Sequence, residues 1–381
     1  MIDVKAILGA LRAAVDAGSL PEPVVRSALA MANDPVMMRQ AGRILSRLRP
    51  SDNTVHPVRV HVLATGTPDP FQYFLHSALV GAGVLPLVGL SEYGRFELAL
   101  GSATFTADGD PDVVSCLMDS SYFLPADWDP TDVEALGGRF ESRLADLRGL
   151  LAMAVGRSAA TFVLHTIPLP AVVRDTVIGW RSRTALTRLW YRLNADILGL
   201  AQEYRQVAVV DLVGELAETP ATARDDRLHH FGDIPYTDGA LLALAQQVRR
   251  VVQSRLGLSR KVLAVDLDNT LWGGVVAEVG GHGIELGGLY PGRSYAELQH
   301  TAHRLHEQGV LLVLVSKNDP DLVEEVIAEH PAMVLRGETF AVRAVNWGPK
   351  PANLRKAAHM LDLSPESFVF MDDSEFEREQ V

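Results

Sequence analysis

The chain has 381 residues, which suggests two domains, and a net charge of −12, which argues against a general nucleic-acid binder because phosphate backbones require basic surface. Hydrophobic residues make up 48% of the sequence, yet no stretch is long or apolar enough to span a membrane. The single cysteine, Cys116, excludes an intrachain disulfide and a Cys-rich zinc site, and it fits a cytoplasmic location.

The first 50 residues are predicted to be helical, because apolar residues recur at helical spacing and the stretch lacks the features of a signal peptide. After a break at 49–57, strands and helices alternate. The predicted strands cover 58–64, 84–90, 111–119, 161–167 and 206–212, and the predicted helices cover 70–83, 131–155, 184–204 and 237–256. Such alternation predicts a parallel sheet with helices on both faces.

The alternation restarts after a domain boundary near 257–261. Strands are predicted at 262–266, 310–316 and 367–373, and helices at 294–309 and 320–330. We therefore expect an α/β protein in which a helical segment (1–50) precedes two doubly wound parallel-sheet domains (55–256 and 261–381). Only one short helix follows the last predicted strand, so we expect the second domain to be C-terminally incomplete.

Polar side chains collect where the strands of the second domain end. They are Asp266 and Asp268 after the first strand, Ser316-Lys317-Asn318-Asp319 after the second, Asp372 and Asp373 after the third, and the isolated Lys350. Ligands of open parallel sheets bind at this edge. Carboxylates without Cys or His favour a hard cation, and Mg²⁺ together with a substrate phosphate fits best.

This set of groups is suited to phosphoryl transfer. A carboxylate can attack phosphorus, and a second carboxylate can protonate the leaving group and then activate water. Mg²⁺ and a lysine neutralise phosphoryl charge. The pair Asp319-Pro320 is typical of a helix start, which would direct a helix N-terminus towards the same anion.

In order along the chain, these residues resemble the motifs of the haloacid dehalogenase (HAD) superfamily of phosphotransferases, whose first motif is D-x-D-x-T. Here that motif is Asp266-Leu267-Asp268-Asn269-Thr270. The resemblance implies the following roles: Asp266 as nucleophile, Asp268 as acid/base, Ser316 as the second-motif hydroxyl, Lys350 as the third-motif lysine, and Asp266, Asp268, Asp372 and Asp373 as metal ligands.

The stretches LDNTLWGGVVAE, VSKND, NWGPK and VFMDDSEFEREQV resemble the FkbH-like branch of that superfamily. This resemblance implies transfer of the glyceryl group of 1,3-bisphosphoglycerate to the phosphopantetheine thiol of an acyl carrier protein, with removal of the remaining phosphate, for polyketide pathways. The branch commonly has a cysteine before S-K-N-D, where this chain has Val315. A covalent route through a cysteine is therefore in doubt, and direct transfer to the carrier thiol remains open.

The glycine-rich stretch 272–294 predicts a hairpin, which in HAD enzymes with small caps lies over the active site as a flap. Candidate substrate contacts are Trp272, Glu278 and Arg293 from the flap and Thr270, Lys317 and Asn318 from the motifs.

Residues 55–255 resemble, more weakly, the SGNH-hydrolase-like domain of long FkbH-like proteins. Thr65 or Thr67 stands near the expected serine, and Ile234 stands where a histidine would precede Pro235. Because a nucleophile needs a base, we expect no hydrolase activity here. Asn194 and Asp211 are either retained features of the SGNH-like framework or residues that serve only in helix capping and packing.

Two further features have alternative interpretations. The arginines Arg174, Arg181, Arg183 and Arg188 form either a dock for an acidic carrier protein or a solvated helix face. His229 and His230 are predicted to lie in a surface loop, without the spacing of a zinc site. For the whole chain, the alternatives to glyceryl transfer are a phosphatase for another small phosphate ester and a non-catalytic scaffold that binds a carrier.

Overall fold

The computed structural model describes residues 4–49, 57–105 and 109–381, and the chain divides into two compact units, Met1–Arg255 and Leu256–Val381. The predicted break at 49–57 lies outside the described residues except at its two ends. Among the residues that the structure describes, no helix has the length and apolar character needed to cross a membrane.

The first unit contains five strands and eleven helices among its described residues. In chain order they are α1 (Val4–Ala17), α2 (Pro23–Met31), α3 (Pro35–Leu45), β1 (Val58–Ala64), α4 (Asp69–Gly81), β2 (Pro86–Leu90), α5 (Phe96–Ser102), β3 (Val113–Leu117), α6 (Ala135–Arg157), β4 (Thr161–His165), α7 (Ala171–Thr176), α8 (Trp180–Glu203), β5 (Val207–Val210), α9 (Leu212–Ala217), α10 (Asp226–Gly232) and α11 (Asp238–Arg255).

All strand pairs of this sheet are parallel, in the order β2-β1-β3-β4-β5. One face of the sheet packs against α4, α11 and the N-terminal helices α1–α3, and the other packs against α5, α6 and α8. The N-terminal helices thus share a core with the sheet, because residues such as Leu11 and Met38 are buried against it.

The second unit contains four strands and five helices. They are β6 (Val262–Val265), α12 (Val276–Val279), α13 (Gly292–Glu307), β7 (Leu311–Ser316), α14 (Pro320–Glu329), β8 (Phe340–Val345), α15 (Lys350–Met360), β9 (Phe368–Met371) and α16 (Glu375–Gln380). The sheet order is β8-β7-β6-β9, and all pairs are parallel. Apolar cores cover both faces of this sheet.

The expected fold class is therefore confirmed: the protein is α/β, with two parallel sheets and helices on both faces of each. One strand was not predicted. β8 is an edge strand in which buried Phe340 and Val342 alternate with exposed Ala341 and Arg343. This alternation of period two is the signal that could have located it.

The predicted flap also differs from the structure. Gly273 and Glu285 form one antiparallel bridge, with backbone hydrogen bonds of 3.0 and 2.9 Å, and the segment between them contains the short helix α12. A Cβ on Gly273 would lie 2.7 Å from the Glu285 carboxylate and 2.8 Å from the Tyr295 ring. A larger residue at Gly273 would therefore require the side chains of Glu285 and Tyr295 to move.

Candidate active site

The turn after β6 places the first motif at the edge of the second sheet. The Asp266 N–H donates to the Met371 carbonyl of the neighbouring strand β9 at 3.0 Å. Asn269 has φ 55°, a left-handed conformation that asparagine tolerates, and its Oδ1 accepts from the Gly274 N–H at 2.9 Å. The chain therefore turns away from the direction of β6 directly after Asp268, and the following residues, such as Trp272, contact Asp268.

Lys350 joins two aspartates from different strands. Its Nζ lies 2.5 Å from Asp372 Oδ2 and 3.0 Å from Asp266 Oδ1. All three residues are buried: Lys350 is 4% exposed, and Asp266 and Asp372 are each 6% exposed. Lys350 reaches this position because it is the first residue of α15, directly after Pro349. Residues that are distant in sequence thus form one compact charged group.

The buried charges shift one another's pKa values. Burial raises the pKa of Asp266, and the nearby Lys350 opposes this shift by stabilising the carboxylate. Burial lowers the pKa of Lys350, but the hydrogen bond to Asp372 and the charge of Asp266 outweigh it, so the net pKa is raised. Lys350 is therefore held as a cation, whereas Asp266 lacks enough positive charge to be a fully stabilised anion.

Asp266, Asp372 and Asp373 form a candidate metal centre. Each offers one carboxylate oxygen, and these atoms lie within 4.8 Å of one another. Asp266 Oδ1 is buried and has no hydrogen-bond partner, because its 3.0 Å contact with Lys350 is not aligned as a hydrogen bond. One ammonium group balances two buried carboxylates here, and an all-oxygen donor set suits a hard cation such as Mg²⁺. The residues present therefore fit this ion.

The carboxylate of Asp268 is outside this group of three and is held by other donors. Its Oδ1 accepts from Trp272 Nε1 at 2.9 Å and from the Val276 N–H at 3.1 Å, and its Oδ2 accepts from Asn318 Nδ2 at 2.9 Å. Trp272 is fully buried and Asn318 is 1% exposed. These two predicted substrate contacts thus lie beneath the site, where they orient Asp268.

Three more predicted site residues lie around the same strand ends. Ser316 is buried, and its hydrogen bond with Asp266 favours the ionised carboxylate. Thr270 is buried, and its Oγ1 accepts from the Asp373 N–H at 3.2 Å. Lys317 is half-buried and pairs with Glu377 at 2.6 Å. Asp319 caps α14 by accepting from the N–H groups of Asp321 and Leu322, which confirms the predicted helix start.

The structure does not bring the remaining flap candidates to this group. Arg293 is exposed and pairs with Glu297 on its own helix at 2.8 Å. Glu278 is exposed on α12.

Two residues of the last helix support the site and were not predicted. Arg378 Nη1 donates to the carbonyl oxygens of Asp372 at 2.5 Å and Asp373 at 2.7 Å, which fixes the loop carrying these acids. Glu377 is buried and holds Lys317, while its other oxygen has no hydrogen-bond partner. Glu377 and Arg378 follow Asp372 and Asp373 by only a few residues, and this proximity in sequence could have indicated that they support the site.

The corresponding edge of the first sheet holds a different arrangement. Asp119 is 4% exposed, and its Oδ1 accepts from Thr65 Oγ1 at 3.2 Å and from the Ser121 side chain and N–H. His229 Nε2 lies 3.1 Å from Asp119 Oδ2, so this histidine is half-buried and paired, whereas His230 is exposed. The hydroxyls contact the carboxylate and not the imidazole, unlike a hydrolase triad.

The other residues singled out in this unit have structural contacts. Both side-chain amide atoms of Asn194 bond to the backbone of Ile167, and Asp211 caps α9 while accepting from Thr166 Oγ1 at 2.9 Å. Cys116 is fully buried in β3, and burial raises the pKa of its thiol to about 12. A thiol with this pKa is not a thiolate near neutral pH.

No family model and no curated protein matches the chain. A solved structure that does match is the N-terminal part of the protein BF1531 from Bacteroides fragilis, described as containing a phosphatase domain and complexed with Mg. The identity is 23%, the TM-score is 0.74, and the alignment covers 86% of this chain and 87% of that chain. This likeness establishes the fold.

Proposed function

We propose that the second unit is a Mg²⁺-dependent phosphatase of the HAD type. The observation that carries this proposal is the cluster of carboxylate oxygens of Asp266, Asp372 and Asp373, in which the buried Oδ1 of Asp266 is ion-paired with Lys350 but accepts no hydrogen bond. The fold shared with a protein described as a phosphatase domain with bound Mg supports it. Asp266, Asp372 and Asp373 would hold the ion, which when bound would stabilise the Asp266 carboxylate and neutralise phosphoryl charge.

The side chains of this chain divide the chemistry between two aspartates. An oxygen of Asp266 attacks phosphorus, the bond from phosphorus to the leaving oxygen breaks, and that oxygen takes a proton from Asp268. Asp268 then removes a proton from water, which attacks the aspartyl-phosphate, releases inorganic phosphate and regenerates Asp266. Trp272, Asn318 and the Val276 N–H keep Asp268 oriented for both proton transfers.

Lys350 and Ser316 have electrostatic roles. The raised pKa of Lys350 keeps its ammonium charged, so that it can neutralise a phosphoryl oxygen as well as the two carboxylates. Ser316 supplies a hydroxyl beside Asp266. Both groups are buried, so their interactions with a bound phosphate would be weakly screened by water.

We further propose that the substrate is a glyceryl acyl phosphate and that the acyl acceptor is a carrier-protein thiol. The thiolate attacks the acyl carbon of 1,3-bisphosphoglycerate, the bond from that carbon to the phosphate oxygen breaks, inorganic phosphate leaves, and a glyceryl thioester forms that still carries the second phosphate. The site around Asp266 then removes that phosphate. This finer proposal rests on the FkbH-like motifs of the sequence.

Direct transfer to the carrier is favoured over a thioester on this protein. The one cysteine of the chain, Cys116, is buried in the first unit with a pKa of about 12. The position before the S-K-N-D motif is Val315, an apolar residue buried in β7. Neither residue offers a nucleophile for the acyl group.

The proposed nucleophile is tested by Asp266→Asn. We expect phosphate release to fall on the order of 10³-fold or more, because the amide cannot form the aspartyl-phosphate. The matched control is Asp319→Asn at the same edge of the sheet, since asparagine caps a helix as well as aspartate. Acid-quenched wild-type protein should gain the mass of one phosphoryl group, and Asp266→Asn should not. Release at the wild-type rate by Asp266→Asn would refute the assignment.

The acyl acceptor is tested separately by mass spectrometry of a holo carrier protein incubated with 1,3-bisphosphoglycerate and the enzyme. Asp266→Asn should leave the carrier with a phosphoglyceryl adduct, whereas the wild-type enzyme should leave a glyceryl adduct. Phosphate release from small esters without any carrier adduct would retain the phosphatase and reject glyceryl transfer.

A further inference from the structure

An exposed aromatic groove lies on the first unit, along α7 and the first half of α8. Its volume is about 630 Å³. The residues that line it, called the Trp180 surface below, are Arg174, Trp180, Arg183, Thr184, Thr187, Arg188 and Tyr191. All of them come from one continuous segment of chain, so the surface is complete within this unit.

Large apolar side chains on this surface face water. Trp180 is 77% exposed, Tyr191 is 67% exposed, and the adjacent Ile178 is 93% exposed. Helix α7 contributes no buried residue at all, although Val172 on it is apolar. A cluster of exposed apolar groups edged by polar ones is typical of an interaction site, whereas single exposed apolar residues are common.

The positions on α8 follow helical spacing. Trp180, Thr184, Thr187 and Tyr191 lie four, three and four residues apart, which places them on one face of the helix. The two aromatic side chains stand at the ends and the two short threonines lie between them. This arrangement makes a shallow apolar trough whose length is about three helical turns.

The charge around the trough is positive, although the whole chain has a net charge of −12. Three arginines line it, Arg174, Arg183 and Arg188, and the exposed Arg181 follows Trp180 in the chain. Two carboxylates pair with these three arginines: Asp175 lies 3.1 Å from Arg174 and 3.9 Å from Arg183, and Glu134 lies 3.3 Å from Arg188. Arg183 also lies over the Trp180 ring at 5.3 Å. The surface therefore keeps an excess of positive charge beside its aromatic groups.

We propose that the Trp180 surface docks the acidic carrier protein, with an apolar side chain of the carrier in the trough and its carboxylates on the arginines. This inference rests on the proposed function and adds the place where the partner binds. Complementary charge increases the association rate, and a buried aromatic residue supplies the affinity. A symmetric contact with a second copy of this chain is disfavoured, because it would bring the arginines of both copies together.

The test measures binding of a holo acyl carrier protein to the full chain by titration calorimetry at two salt concentrations. Trp180→Ala should weaken binding at least about tenfold, as expected for an aromatic anchor. Arg174→Glu with Arg188→Glu should weaken binding and reduce its dependence on salt. The matched controls are Phe231→Ala, an 83% exposed aromatic residue of the same unit, and Arg250→Glu, an exposed arginine on α11; both should bind within about twofold of wild type.

Thermal unfolding followed by far-ultraviolet circular dichroism, measured in parallel, should match wild type in all these variants, which shows that the first unit folds, and hydrolysis of p-nitrophenyl phosphate by the second unit should be unchanged. Wild-type affinity in Trp180→Ala and in the arginine variant would overturn the docking site while leaving the proposed function standing. Absence of binding by wild type would overturn the docking site and the carrier step, and the phosphatase would still be judged by Asp266→Asn. Concentration-dependent dimers that Trp180→Ala abolishes would assign the surface to self-association and overturn the proposal.

Discussion

Replacing Lys350 with methionine should destabilise the second unit by about 3–5 kcal/mol when Mg²⁺ is removed by a chelator. Methionine keeps the apolar length of the side chain but leaves Asp266 and Asp372 buried without the ammonium group, which lies 3.0 and 2.5 Å from them. Removing one partner of a buried ion pair is costly because the remaining charge is desolvated. Burial already raises the pKa of Asp266, so this carboxyl can take up a proton when the ammonium group is lost. Because protonation removes the buried charge, we expect a destabilisation at the lower end of the range of about 3–5 kcal/mol.

The assay is urea unfolding followed by far-ultraviolet circular dichroism, with Lys356→Met as the matched control. Lys356 is an exposed lysine on the same helix, and its loss should change the free energy of unfolding by no more than about 0.5 kcal/mol. The double variant Lys350→Met/Asp372→Asn should be more stable than the sum of the single effects, with a coupling of about 2 kcal/mol. Additive effects, or a Lys350→Met variant as stable as Lys356→Met, would refute this account of the site.

Two further predictions concern the first unit. Burial lowers the pKa of His165 in the folded protein to about 4, whereas the pKa of a histidine in the unfolded chain is near 6.5. Between these two pH values the unfolded chain binds a proton that the folded protein does not. The free energy of unfolding should therefore fall by up to about 3 kcal/mol as the pH drops from 6.5 to 4. His165→Gln should lose this part of the pH dependence in denaturant titrations at pH 7 and pH 4.5, and an unchanged slope would contradict the assignment. Cys116→Ala should load a carrier protein within about twofold of the wild-type rate in the mass-spectrometric assay, because the buried thiol does not take the acyl group. A Cys116→Ala variant that folds but cannot load the carrier would show that the thiol does accept the acyl group.

The fold was readable from the sequence wherever a strand is buried on both faces. Strands such as β1 and β7 appear as continuous apolar runs, and their predicted bounds agree with the structure to within one residue. The edge strand β8 has one exposed face and no such run, so it was missed. The charged group of the second unit was predictable for a related reason: parallel strands bring their carboxyl ends to one edge, so Asp266 and Asp372 had to be neighbours.

The orientation of side chains was not readable in the same way. Trp272 follows the first motif and was expected in the flap as a candidate substrate contact, but after the left-handed turn at Asn269 its indole is buried and donates to Asp268. His229 was expected in a surface loop, but helix α10 places it 3.1 Å from Asp119, a residue 110 positions earlier. Each outcome depends on one backbone turn or one long-range contact, and neither leaves a periodic signal in the sequence.

The two sheets of this protein have the same kind of crevice, and a comparison of their chemistry explains why we assign catalysis to only one. In each sheet the chain builds outwards from its first strand on one side and then crosses to the other, so the crevices lie between β1 and β3 and between β6 and β9.

In the first crevice, Thr65, Ser121 and His229 donate to Asp119, and these hydrogen bonds outweigh the effect of burial and lower the pKa of its carboxyl. In the second, Asp266 has a raised pKa and an oxygen without a hydrogen-bond partner. A carboxylate that accepts several hydrogen bonds from its own fold gains little from a cation, whereas Asp266, which shares the single charge of Lys350 with Asp372, would gain more. The same topology thus supports a closed structural network in one unit and, in the other, a cluster of carboxylates that we propose to bind a cation.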